Sequence, residues 1–261
     1  MNILDQIVAD KRKEVALRKS LIPYKQLEAS ILFERATISL SQSLKNSTSG
    51  IIAEHKRRSP SKAVINQSLN VQDVAKGYED ADVCGMSVLT DGKYFGGSLD
   101  DLLIARASCD LPLLRKEFII DTYQILEAKA YGADVILLIA AILSQEEIKQ
   151  FSELAKSLDL DILLEVHNLE ELQKSIMPTI DMLGVNNRNL KTFEVSLETS
   201  KALSNHIPDD FVKVSESGIS SIEAIKELQP YDYKGFLIGE NFMKTNNPGE
   251  SARSFIKKFK K

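Results

Sequence analysis

The chain has 261 residues, enough for one large domain or two ordinary ones, and hydrophobic residues make up 43% of it. Its 33 basic and 37 acidic side chains give a net charge of −4, which argues against a nucleic-acid-binding protein, because such domains are normally basic. The longest apolar run, residues 135–143, is far shorter than the roughly 20 residues that a membrane helix needs. We therefore expect neither a nucleic-acid partner nor a membrane partner.

The N-terminal residues have neither the apolar region nor the cleavage site of a signal peptide, so we expect a cytoplasmic protein. The two cysteines, Cys84 and Cys109, cannot form a disulfide framework, and we expect both to be buried as small apolar side chains. The three histidines show no metal-ligand spacing, so no metal site is predicted.

Basic residues are concentrated in three stretches, residues 11–19, 54–62 and 257–261. We interpret the first as the exposed face of a helix and the last as a solvated helix end, where the helix dipole favours cations. The stretch 54–62 remains as a candidate site for an anion.

The first fifty residues precede a repeating pattern. Apolar positions at helical spacing predict a basic helix, with Leu4, Ile7, Val8, Val15 and Leu17 on its apolar side. A second apolar stretch surrounds Leu40 and Leu44. Because no Pro/Gly-rich linker follows, we predict one domain over residues 1–261, with 1–48 as a helical extension packed on it.

From residue 51 onward, a short apolar run, a polar loop and a helical pattern alternate eight times. The predicted strands are 50–55, 83–90, 111–118, 134–140, 161–166, 181–186, 211–215 and 235–239. Strands that alternate with helices indicate an α/β fold with a parallel sheet. Eight units favour a (β/α)8 TIM barrel over an open doubly wound sheet, and no G-x-G-x-x-G motif follows the first strand.

Several helix starts are visible as capping sequences. The pattern of a small polar residue followed three positions later by an acidic one predicts N-caps at Ser98, Ser144, Asn168 and Ser220. Each lies a few residues beyond a predicted strand, so the intervening loops leave the carboxyl ends of the strands.

Polar side chains collect at those strand ends, where a (β/α)8 barrel carries its active site. Alternation along the first strand puts Glu54 and Lys56 on one face and His55 on the other, facing outward. Further candidates end other strands: Lys116, Phe118, Glu165, Asn186, Arg188 and Glu216. Converging lysines and glutamates are typical of acid–base catalysis, although a Schiff-base lysine also fits this pattern.

The loops after the seventh and eighth strands predict a phosphate site. Gly218 and Gly239 allow the backbone to approach an anion, Ser217 supplies a donor, and Lys56 enters from the neighbouring first strand. We also expect Phe95 and Phe118 to sandwich a flat substrate. Arg57, Arg58 and Lys62 would then steer an anionic substrate toward the site.

The segment Glu54 to Lys62, which reads E-H-K-R-R-S-P-S-K, resembles the E-x-K-x-x-S-P-S signature of the indole-3-glycerol-phosphate synthase family of tryptophan biosynthesis. Six more segments resemble that family in the same order, at 89–98, 114–119, 164–167, 184–190, 215–219 and 237–240. The resemblance implies a (β/α)8 carboxy-lyase that needs no cofactor. Its substrate would be 1-(2-carboxyphenylamino)-1-deoxyribulose 5-phosphate, which undergoes ring closure, decarboxylation and dehydration.

The resemblance also assigns roles by position. Lys116 matches the family's general acid, Glu165 its general base, and Glu54 with Lys56 an acid/base and orienting pair. Substrate-binding matches are Asn186, Arg188, Glu216, Ser217, Phe95, Phe118, Ser59 and Pro60. Phosphate-binding matches are Lys56, Gly218, Gly239 and Glu240. The expected partner is thus a small phosphorylated substrate, and we expect a monomer.

Two other hypotheses remain open at this point. One is a different phosphate-binding barrel, such as phosphoribosylanthranilate isomerase, which needs a Cys/Asp pair; neither Cys84 nor Cys109 ends the first or sixth strand. The other is an inactive barrel that serves as an interaction module. That hypothesis predicts the loss of Glu54, Lys116 or Glu165, and all three are present.

Overall fold

The computed structural model describes residues 3–190 and 192–259. Within these residues, eight parallel strands close into a barrel in chain order, with the last strand paired to the first. The strands are β1 Ile51–His55, β2 Gly85–Leu89, β3 Leu113–Lys116, β4 Val135–Ile139, β5 Asp161–Val166, β6 Met182–Asn186, β7 Val212–Glu216 and β8 Tyr233–Ile238. The predicted (β/α)8 barrel is confirmed, and every predicted strand overlaps an observed one.

Helices precede the barrel and separate its strands. Those before β1 are α1 Ile3–Leu21, α2 Tyr24–Glu28 and α3 Leu40–Asn46. The others are α4 Val71–Asp80, α5 Gly92–Phe95, α6 Leu99–Ser108, α7 Thr122–Ala130, α8 Gln145–Ser157, α9 Leu169–Ser175, α10 Glu198–Ser204, α11 Ile222–Leu228, α12 Glu240–Met243 and α13 Pro248–Phe259. Short 3₁₀ turns occur at Ala140–Ile142 and Gln229–Tyr231. In the part of the chain just described, no helix is long and apolar enough to cross a membrane.

Three of the four predicted N-caps are confirmed. Ser98 and Asn168 cap their helices, and Ser144 forms a full capping box with Glu147. The fourth prediction was wrong by one residue, because α11 is capped by Ser221. Ser220 stays in the preceding loop, where its carbonyl accepts a hydrogen bond from Asn241.

Apolar side chains fill the centre of the barrel and the end at which the strands begin. Inward-facing side chains such as Ile52, Leu163 and Val214 are buried in one apolar cluster, which Leu40 and Leu44 of α3 complete. A larger cluster fills the space between the strands and the surrounding helices. Because apolar side chains occupy the centre and the amino-terminal end, a ligand has room only at the carboxyl ends of the strands.

The N-terminal basic stretch 11–19 is not simply an exposed helix face, so that prediction was wrong in part. Lys11 is 2% exposed, and its Nζ lies 3.0 Å from both Asp91 and Glu117. These carboxylates lie in the loops after β2 and β3, and they anchor α1 to the barrel. Sequence periodicity could not reveal this, because both partners are far from Lys11 along the chain.

Two minor predictions have clear outcomes. Cys84 and Cys109 are both buried, as expected. In the C-terminal basic stretch, Lys257 and Lys258 are exposed in the last turn of α13, whereas residues 260–261 lie outside the described residues.

We expect Lys11→Met to lower the free energy of unfolding by about 3 kcal/mol, because removing one partner of a buried ion pair leaves uncompensated charge inside the protein. Chemical denaturation of the variant and the wild type measures this difference. Lys13→Met is the matched control, since Lys13 lies on the exposed side of the same helix. Equal losses of stability in the two variants would contradict the anchoring role of Lys11.

Candidate active site

A cavity of about 450 Å³ opens at the carboxyl ends of the barrel strands. Its walls come from the strand ends, the loops that follow them, and the first turns of α1 through Ile3, Leu4 and Ile7. All of the site residues predicted from the sequence line it: Glu54, Lys56, Ser59, Pro60, Phe95, Lys116, Phe118, Glu165, Asn186, Arg188, Glu216, Ser217, Gly218, Gly239 and Glu240. The structure therefore brings the predicted residues together, while their individual roles remain predictions.

The alternation of side chains along each strand places the charged groups. Glu54, Lys116 and Glu165 face inward two residues beyond Ile52, Leu114 and Leu163, which form the apolar layer below them. Glu216 extends β7 in the same way and pairs in register with Asn186 of β6. Because strands hold these side chains, the sheet geometry fixes their relative positions.

Two glycines make room for the carboxylates. A Cβ atom at Gly184 would lie 2.5 Å from Glu216 Oε1, and one at Gly239 would lie 2.4 Å from Glu54 Oε1. The backbone of Gly239 has an ordinary negative φ of −115°. In this structure, the absence of a side chain at Gly239 is therefore needed for the packing of Glu54.

Lys116 lies at the centre of the charged group. Its Nζ contacts Glu216 Oε2 directly and lies 3.8 Å from Glu165 Oε2 and 3.9 Å from Glu54 Oε2. A second ammonium, that of Lys56, lies 2.6 Å from Glu54 Oε1. Two cations thus share three buried carboxylates, which is an arrangement suited to moving protons.

Burial and charge change the pKa values of these groups in opposite directions. Burial alone would lower the pKa of Lys116, but the charges of Glu216, Glu54 and Glu165 raise it above its ordinary value. Burial alone would raise the pKa of Glu54, but Lys56 and Lys116 lower it. For Glu216, burial prevails over the charge of Lys116 and raises the pKa to about 7.

The two aromatic side chains lie together on one side of the cavity. The ring centroids of Phe95 and Phe118 are 6.0 Å apart, with the planes tilted by 39°. A flat ring inserted between them would need about 7 Å, two van der Waals separations. The predicted sandwich is therefore wrong in geometry, because the two rings contact each other and form a single apolar wall.

The loop after β7 has an unusual backbone. Ser217 and Gly218 both have positive φ values, 63° and 81°, so the chain turns sharply as it leaves the strand. The buried side chain of Asn187 braces this turn by donating to Ser215 Oγ at 2.9 Å and to the carbonyl of Ser217 at 3.1 Å. Asn187 was not among the residues predicted from the sequence.

Basic side chains surround the start of α12. Lys62 Nζ lies 2.6 Å from Glu240 Oε1, and this hydrogen bond, with smaller effects of the charges of Lys56 and Arg188, lowers the pKa of Glu240. The convergence of three cations here is consistent with an anion site. The loop after β1, which carries Lys62, also carries Arg57 and Arg58, but these two arginines do not line the cavity.

The predicted steering role does not fit those arginines. Arg57 binds Asp101 with both terminal nitrogens, and Arg58 donates to the carbonyls of Gly92 and Lys93. Both guanidinium groups therefore hold the loop after β1 against the segment after β2. Their partners are distant along the chain, which is why the sequence alone suggested free cations.

His167 is a second residue at the site that was not predicted from the sequence. It follows β5, and its Nε2 lies 3.3 Å from Glu165 Oε1 while its Nδ1 lies 3.0 Å from Glu171 Oε2. Alternation along the strand was the available signal, because it places His167 on the same face as Glu165. The other strand-end histidine, His55, faces outward as expected and is buried.

The barrel and this cavity together define the class of protein: a (β/α)8-barrel enzyme whose site combines a buried lysine with carboxylates for acid–base chemistry. The family model "Indole-3-glycerol phosphate synthase" matches residues 4–255. The chain belongs to the indole-3-glycerol phosphate synthase family, which confirms the resemblance seen in the sequence.

Similar proteins agree with this assignment. The indole-3-glycerol phosphate synthase of Bacteroides thetaiotaomicron is 49% identical over 256 residues, which cover 98% of each chain. That of Delftia acidovorans is 41% identical over 259 residues, covering 96% of this chain and 97% of its own. The structure of 3-hexulose-6-phosphate synthase from Salmonella typhimurium has a TM-score of 0.64 and covers 80% of this chain and 98% of its own; at 13% identity it supports the fold alone.

We expect Lys116→Met to lose stability as the pH rises. Burial raises the pKa of Glu216 to about 7 and the charge of Lys116 opposes this rise, so removal of the ammonium should raise the pKa of Glu216 further. A carboxyl whose pKa is higher in the folded state stabilises the protein at low pH, and that contribution disappears as the pH rises through the folded pKa. The thermal midpoint of the variant, relative to the wild type, should fall between pH 6 and pH 9.

The control for this measurement is Lys93→Met, which removes an exposed ammonium 2.6 Å from Asp10. Its effect on the midpoint should vary little over the same pH range. If the difference between Lys116→Met and the wild type is constant from pH 6 to pH 9, Lys116 does not control the ionisation of the carboxylates.

Proposed function

We propose that this member of the family carries out its reaction with Lys116 as general acid and Glu165 as general base. The reaction converts 1-(2-carboxyphenylamino)-1-deoxyribulose 5-phosphate to indole-3-glycerol phosphate, carbon dioxide and water. The observation that carries the proposal is the position of the Lys116 ammonium, within 4 Å of Glu54, Glu165 and Glu216 in a cavity at the barrel mouth.

The two ends of the substrate suit opposite sides of the cavity. The carboxyphenyl ring is flat and apolar, and it fits the wall formed by Phe95 and Phe118. The phosphate fits the loops after β7 and β8, where Gly218 and Gly239 expose backbone near the ammonium of Lys56. Further binding positions in this proposal are Ser59, Pro60, Asn186, Arg188, Glu216, Ser217 and Glu240.

Ring closure is the step that needs a proton donor. A ring carbon attacks the ribulose carbonyl carbon, the C–O π electrons move to oxygen, and Lys116 donates a proton to form a hydroxyl. A buried ammonium also stabilises the charge that develops on this oxygen before the proton arrives. Loss of carbon dioxide then returns the electrons of the broken C–C bond to the ring.

Dehydration completes the sequence and needs both an acid and a base. The hydroxyl leaves as water with a proton from the Glu54–Lys56 pair, and Glu165 accepts a proton from the substrate as the indole double bond forms. Once Lys116 has given up its proton, Glu165 loses a cation 3.8 Å from its Oε2, so its pKa rises. The acid step therefore makes Glu165 a stronger base for the step that follows.

These reactions involve no net oxidation or reduction, and the proposed groups all come from one chain. We therefore propose that the chain acts without a cofactor, as a monomer and in the cytoplasm. Light scattering after gel filtration tests the monomer, which should have a mass near 29.1 kDa. A dimer mass would refute this part of the proposal.

We expect the wild type to form product from this substrate, measured by the increase in indole fluorescence. Lys116→Met and Glu165→Gln should each lower turnover by at least about 100-fold, the scale of a lost acid or base group. Lys149→Met, at an exposed position of α8, is the control and should retain wild-type turnover.

The two parts of the proposal fail in different ways. Absence of product with micromolar wild-type enzyme would refute the activity itself. Formation of product by the wild type together with near-normal turnover in Lys116→Met would refute only the role of the lysine.

A further inference from the structure

We propose that His167 is a positioning residue for this reaction: a fixed cation behind the substrate cavity that keeps the Glu165 carboxylate ionised and oriented while Lys116 changes charge. The inference rests on the proposed role of Glu165 as the base. It adds a residue that does not line the 450 Å³ cavity in which the substrate is proposed to bind.

The contacts of Glu165 divide between its two oxygens. Oε2 faces Lys116 at 3.8 Å, on the side of the substrate. Oε1 lies 3.3 Å from His167 Nε2 and accepts a hydrogen bond of 3.1 Å from Asn186 Nδ2. His167 and Asn186 thus hold one oxygen, which leaves the other oriented toward the reacting groups.

His167 is itself held in place from behind. Its Nδ1 lies 3.0 Å from Glu171 Oε2, and the same oxygen accepts a hydrogen bond of 2.8 Å from the His167 backbone N–H. The other oxygen of Glu171 accepts a hydrogen bond of 2.8 Å from Nδ2 of Asn168, the N-cap residue of α9. The imidazole therefore bridges two carboxylates, Glu165 on β5 and Glu171 on α9, in a rigid arrangement.

This bridge favours the protonated ring, because both of its nitrogens face carboxylate oxygens. Burial alone would lower the pKa of His167, but the Glu165 and Glu171 carboxylates beside its two ring nitrogens raise it to about 10. His167 also borders a neighbouring cavity, whose other titratable or charged residues are Asp5 and Arg12 of α1, and Arg188 and Glu194 after β6. The imidazolium thus persists at neutral pH without taking part in proton transfer.

Glu216 indicates how burial would change the pKa of Glu165 if His167 were absent. Both carboxyl groups are buried beside Lys116, but Glu216 has no histidine partner, and burial raises its pKa to about 7. In Glu165 burial acts in the same direction, yet the nearby imidazolium of His167 and the charge of Lys116 keep its pKa below the ordinary value. When Lys116 gives up its proton, His167 is the cation that still holds Glu165 as a carboxylate.

The test is the pH dependence of kcat/KM in His167→Phe and His167→Gln. Both remove the charge, so the pKa of Glu165 should rise toward that of Glu216. Activity should then fall by about ten-fold per pH unit well below that pKa, giving up to about ten-fold more loss than the wild type between pH 8 and pH 6. At pH 8, His167→Gln should recover part of the turnover lost in His167→Phe, because its amide still donates to Glu165.

His206→Gln provides the matched control, because His206 lies on an exposed turn. Its pH profile should superimpose on that of the wild type. KM at pH 8 should change little in any of these variants, since His167 is outside the substrate cavity. Thermal midpoints identify a variant that fails to fold, in which case the other His167 variant decides.

Two results separate this inference from the proposed roles. If Glu165→Gln is inactive but both His167 variants keep the wild-type profile from pH 6 to pH 8, the positioning role of His167 is refuted. If Glu165→Gln is fully active, the base role of Glu165 fails first, and the inference fails with it.

Discussion

A buried ammonium surrounded by three carboxylates is the interaction on which the site depends. Lys116 alone would be destabilised by burial, and so would each of Glu54, Glu165 and Glu216, but together they reduce one another's cost. The arrangement forms only if four strand ends, those of β1, β3, β5 and β7, meet within a few ångströms, which the closed barrel ensures. The fold and the chemistry are therefore linked through the same set of charges.

The sequence was sufficient to predict most of this site, for a physical reason. Alternation in a strand and the common edge of a parallel barrel are both local rules, and together they place Lys116, Glu165 and Glu216 at one mouth. The strands could be recognised in the sequence because buried parallel strands are almost continuously apolar. The family signature around Glu54 then added the substrate, which the geometry of charges alone does not define.

What the sequence could not predict depends on contacts between distant segments. Lys11 has the appearance of a surface lysine until its partners Asp91 and Glu117 are known, more than seventy residues away. The same holds for Arg57, whose carboxylate partner is Asp101. Ion pairs between distant segments leave no periodic pattern in the sequence. A basic stretch therefore shows that cations are present, but not whether they are paired with carboxylates.

The glycines at positions 184 and 239 have a consequence for how such a site changes over evolution. Each of them borders a carboxylate so closely that one added methyl group would displace it, although neither glycine carries a charge. The acidity of the site can therefore be altered through steric bulk on the strands, with every ionisable residue left in place. The lack of a methyl group at each of two positions thus determines where the charges of Glu216 and Glu54 lie.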